Sequence, residues 1–75
     1  MFRLRPKTIE QGDGYRIVEF PIWTTESMLK QVASNIEKDA AIKGKPVKIT
    51  VGHRLLRVDY LYDHRVEPNG KVVPV

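Results

Sequence analysis

The chain contains no cysteine, so neither a disulfide framework nor a thiolate metal site is open to it. Its apolar runs extend only a few residues, too short to span a bilayer. A glycine-rich phosphate loop is also missing; Gly44-Lys45 lacks the upstream glycine and preceding strand of such a loop. The N-terminal stretch lacks the charged, apolar and cleavage regions of a signal peptide. These absences lead to the expectation of a soluble, cytoplasmic protein with no cofactor, no membrane association and no inferred small-molecule substrate.

Acidic residues are missing from two stretches. Residues 1–9 carry Arg3, Arg5 and Lys7, giving +3, and residues 40–58 carry Lys43, Lys45, Lys48, Arg54 and Arg57, giving +5. All nine acids lie elsewhere, and the net charge is +4. Such asymmetry points toward an anionic partner. At 75 residues the chain is expected to be a single domain, 1–75, with about 4–11 kcal/mol of stability. A deep, water-excluding active site is hard to build at that size.

One stretch, Thr24 to Gly44, reads as a helix. Leu29, Val32, Ala33, Ile36 and Ala40 recur at the spacing that gathers apolar side chains into one stripe. Thr24 or Thr25 suits the N-cap; with Thr24 there, Trp23 and Met28 take the positions of a hydrophobic staple. Gly44 suits a left-handed stop, and Pro46 prevents resumption. The outer face, Ser27, Gln31, Ser34, Asn35 and Lys38, is close to neutral, which argues against a DNA recognition helix. Glu26 in the first turn argues against an anion at the N-terminus.

Period-two alternation supplies the strands. Phe2 to Gln11 is a first strand, turned at Gly12-Asp13-Gly14 into a second from Tyr15 to about Ile22. Val47 to Val51 is a third. Leu55 to Val66 reads as a long fourth, and Glu67-Pro68-Asn69-Gly70 as a turn into a possible last strand, Lys71 to Val75. The expected fold is α+β and two-layered, one amphipathic helix on a four- to five-stranded mixed or antiparallel sheet, in the order ββαββ(β). That element order is similar to the layout of a β-grasp domain, without a sequence motif behind the likeness.

Two binding readings follow, neither enzymatic. Arg3, Arg5 and Lys7 at alternate positions would share a strand face at about 6.6–6.8 Å intervals, a spacing that suits successive phosphates. Lys48, Arg54 and Arg57 would extend this into a basic sheet face for nucleic-acid backbone, with Tyr15 as a stacking platform. The alternative is a protein partner or homodimer, held by Ile17, Leu55 and Leu61 on the sheet face away from the helix, or by an edge strand. Catalysis is the least supported class. His53, Asp59, Asp63 and His64 match no established metal-ligand spacing, and no catalytic residue is assigned.

Overall fold

The computed structural model describes residues 5–75, so the expectations placed on Phe2, Arg3 and Leu4 lie outside the described residues. Within them the order is β1 (Lys7–Gly12), β2 (Tyr15–Glu19), α1 (Glu26–Ile42), β3 (Val47–Gly52), β4 (Leu55–Tyr60), β5 (His64–Val66) and β6 (Val72–Pro74). Strands β1–β4 form one antiparallel sheet in the order β1-β2-β4-β3, and β5 pairs with β6 in a separate hairpin. One helix on a four-stranded sheet gives the two-layer α+β fold. No helix among the described residues is long and apolar enough to cross a membrane.

Local chemistry sets the element ends. The α1 N-cap is Thr25, not Thr24: its hydroxyl accepts from the Met28 amide at 3.2 Å. Thr25 is one of the two residues suited to the cap, and with the cap there Trp23 and Met28 leave the staple positions. At the other end Gly44 takes φ +74, so the Lys45 and Gly44 amides reach back to the Ala40 and Ala41 carbonyls. That is a Schellman closure. After β2, Pro21 has no amide to give, and its carbonyl instead accepts from Thr24 in a turn.

The long fourth strand expected from the pattern does not form. It stops at Tyr60, because Asp59 faces the first residue of β2, Tyr15, and Tyr60 faces the first residue of β3, Val47. Beyond that point neither neighbour extends, and the chain bends until β5 finds β6. Leu61 is consequently off the sheet and 61% exposed.

The core is small. Phe20, Leu29, Ala33 and Leu56 are buried, with Val18, Val32, Ile49 and Val51 packed against them. Helix α1 rests on β3 and less on β4. Of the expected stripe, Leu29 and Ala33 are therefore buried, whereas Ile36 is 38% exposed. Both sheet edges are blunted. In β1 a bulge leaves Ile9 as an extra residue between Thr8 and Glu10. On β3 the outward Ile49 amide donates to the Glu37 carboxylate of α1 at 2.9 Å, which removes one donor from the free edge.

Candidate functional site

Because Val18, Leu56, Ile49 and Val51 pack toward the helix, the alternate positions face away from it. The cross-strand register then fixes what this open face carries. Lys7 lies beside Glu19, Arg57 beside Ile17 and Thr50, and Asp59 between Tyr15 and Lys48. Glu10 joins from β1, opposite Ile17. Among the described strand residues Lys7, Lys48 and Arg57 are thus matched by Glu10, Glu19 and Asp59, and their charges sum to zero. At its centre are half-buried Ile17 and Leu55, diagonal neighbours on β2 and β4.

One cluster on this face is tightly arranged. Tyr15 donates its hydroxyl to Glu10 Oε2 at 2.7 Å. Arg57 lies 4.6 Å from the centre of the Tyr15 ring, and its Nε is 3.2 Å from Asp59 Oδ1. The Glu10 carboxylate, as acceptor of the phenolic proton, pushes the Tyr15 pKa above its ordinary value, with Arg57 working the other way. Gly12 completes the cluster, because a Cβ there would overlap the Tyr15 ring. Sequence reading missed it. The residues are legible as open-face positions, but their meeting depends on β2 pairing with β4, which no local pattern specifies.

Of the six cations expected to line a nucleic-acid surface, five lie among the described residues, at different places in the fold. Arg3 lies outside the described residues. Arg5 is exposed ahead of β1, and Pro6 divides it from Lys7, the first strand residue, so Arg5 lies outside the strand that carries Lys7. Lys48 and Arg57 belong to the balanced face. Arg54 occupies the β3–β4 turn with φ +56, where its carbonyl accepts from the Phe20 amide. Arg5, Lys7 and Arg54 nonetheless share one end of the sheet, the end where β1 and β4 begin and β2 and β3 finish. There a hollow of about 710 Å³ lies between the β2–α1 loop and the β3–β4 turn, lined by Ile22, Glu26, His53 and Arg54 among others. Of the partner-binding set, Ile17 and Leu55 come together on the open face and Leu61 does not. His53 stands in the β3–β4 turn and His64 in β5. Among the described residues no three His, Asp or Glu side chains converge as metal ligands would.

Among the described residues the helix-side face is incompletely covered. An apolar groove of about 480 Å³ runs between α1 and the sheet, walled by Val32, Ile36 and Ala40 on one side and by Val18, Val58 and Tyr60 on the other. Burial raises the Tyr60 pKa, with the nearby Arg16 charge opposing it. The second hairpin is tied to this region: Arg16 Nη2 donates to the Gly70 carbonyl at 2.9 Å, and the His64 ring centre is 5.0 Å from that of Tyr60. Comparison of the chain with protein-family models, with curated proteins and with solved structures found no match.

Proposed function

We propose that this domain is a non-enzymatic protein-interaction module, cytoplasmic in setting, whose open sheet face associates with a second copy of the chain. The observation that carries this reading is the balance of charge around Ile17, Leu55 and Tyr15 on a face that, among the described residues, no helix covers. A molecule of net charge +4 repels its own copies in general. On this face the charges of the described strand residues offset one another, while Tyr, Arg and aliphatic side chains supply the composition of an interface centre. Four strands about 4.8 Å apart and five or six residues long, at about 3.4 Å per residue, give a face of roughly 19 by 20 Å. That is below the usual 800 Å² or so per partner, so the dimer is weak and transient. Sedimentation should show a monomer–dimer equilibrium that Leu55→Glu abolishes without lowering the melting temperature of the monomer. Association undiminished in Leu55→Glu would refute the assignment of this face.

A second reading, contact with nucleic-acid backbone, is favoured by the clustering of Arg5, Lys7 and Arg54 at one end of the sheet. Three phosphate contacts give a logarithmic salt slope of about −2 to −3. Joint replacement of Arg5 and Lys7 by Gln should flatten that slope by about 1.5–2 units. Binding of DNA or RNA that is insensitive to salt would rule this reading out.

A further inference from the structure

Among the described residues that line the groove between α1 and the sheet, Arg16 is the single charged one. On β2, Arg16 shares the helix-facing register with Val18, and both line the groove. A guanidinium placed on an apolar face needs a counter-charge or a full set of hydrogen bonds. Among the described residues none of the groove's lining side chains is acidic, and Arg16 forms no ion pair. Its Nη2 donates to the Gly70 carbonyl at 2.9 Å and, at 3.5 Å, to Gln11 Oε1, while its Nε is buried without a partner. Those bonds fix the guanidinium in place and leave its charge uncompensated. Tyr60, a further polar lining residue, lies close enough for the Arg16 charge to bear on its phenol.

We propose that this groove is a binding site for a small amphiphilic carboxylate, an unbranched acyl chain whose head group pairs with Arg16. The polar end is set by Arg16 and Tyr60, and the tail lies along Val18, Val32 and Ile36. From Val32 to Ala40 the helix wall extends about 12 Å, room for a medium-length chain. Apart from Arg16 and Tyr60 the described lining residues are apolar. A peptide's amides would find few side-chain partners there, and an acyl chain needs none. The volume of about 480 Å³ falls in the range of small-molecule sites. The groove is on the sheet face opposite the proposed dimer surface, so either proposal can fail without the other.

The test is calorimetric titration with hexanoate, octanoate, decanoate and decanol, with amide shifts mapped by NMR. Affinity should rise about fourfold per added methylene. Decanoate should bind about tenfold tighter than decanol, the equivalent of one charge-assisted contact. Arg16→Gln should bring decanoate down to the decanol level and leave decanol unchanged. Because that change also releases Gly70, Ile36→Gln serves as a second variant. It retains Arg16, alters a partly exposed wall residue, and should weaken decanoate and decanol alike. Equal binding of decanoate and decanol by the wild type would overturn the proposal. So would affinities flat with chain length, shifts confined to residues outside the groove, or no binding at about 1 mM ligand.

Discussion

Leu56→Ala is the perturbation that weighs most heavily on this domain. Leu56 is fully enclosed on the central strand β4, with Val18 paired to it on β2 and Val51 on β3. Hydrogen-bonded neighbours on both sides hold the backbone apart, so the vacated space cannot close by strand movement. Core Leu→Ala changes cost about 2–5 kcal/mol, and resistance to collapse places this site in the upper half of that range. Against a total of about 4–11 kcal/mol, the variant loses between about a third and all of its stability. Even at 2 kcal/mol the melting temperature falls by about 8–16 °C, because a domain of this size shifts about 4–8 °C per kcal/mol. Urea and thermal melts followed by circular dichroism measure the loss. A loss below about 1 kcal/mol would show that Leu56 is not the centre of the core, since removal of the enclosed methyl groups alone accounts for more.

Three further perturbations read other parts of the structure. Ile36→Asp should fold, losing about 1 kcal/mol, because its 38% exposure lets the carboxylate reach water; unfolding would show that the groove is closed in solution. Glu37→Ala should cost about 1–3 kcal/mol by leaving the half-buried Ile49 amide unpaired, and Glu37→Gln should recover most of it. Equal losses in the two variants would show that charge, not the hydrogen bond, matters at that edge. For pH, the folded-state pKa of Tyr60 lies above its ordinary value near 10, so its stabilising contribution is complete below pH 10 and is lost as pH rises through the folded value. Tyr60→Phe should therefore lose less stability than wild type between neutral pH and about pH 11. An identical alkaline decline in both would place the titrating group elsewhere.

Much of the fold was legible because its signals are local. Leu29 and Ala33 follow from helical spacing, the α1 stop from Gly44 and Pro46, and the hairpin turns from Asp13-Gly14 and Pro68-Asn69-Gly70. What required the structure is non-local. The end of β4 at Tyr60 depends on where β2 and β3 begin, and the exposure of Ile36 depends on the helix resting over β3 instead of the sheet centre. The candidate surfaces divide along the same line. Ile17 and Leu55 could be placed on one face by alternation, whereas the Glu10–Tyr15–Arg57–Asp59 cluster required the strand order. Arg16 did leave a trace in the sequence, as a cation in phase with Val18 on β2 and with Phe20 just beyond it, but that alone names neither a groove nor a ligand.

The central claim, that the open sheet face is where copies of this chain meet, is tested most directly by residue-resolved NMR across a concentration series. With rising concentration the rotational correlation time should lengthen, and the amides of Ile17, Leu55 and Arg57 should shift together along a single binding curve. Amides lining the groove on the opposite face, such as Val32 and Ile36, should stay in place. A correlation time that remains monomeric up to about 1 mM would contradict the account, since even a weak contact of this size associates in that range. Shifts confined to the helix side would contradict it equally.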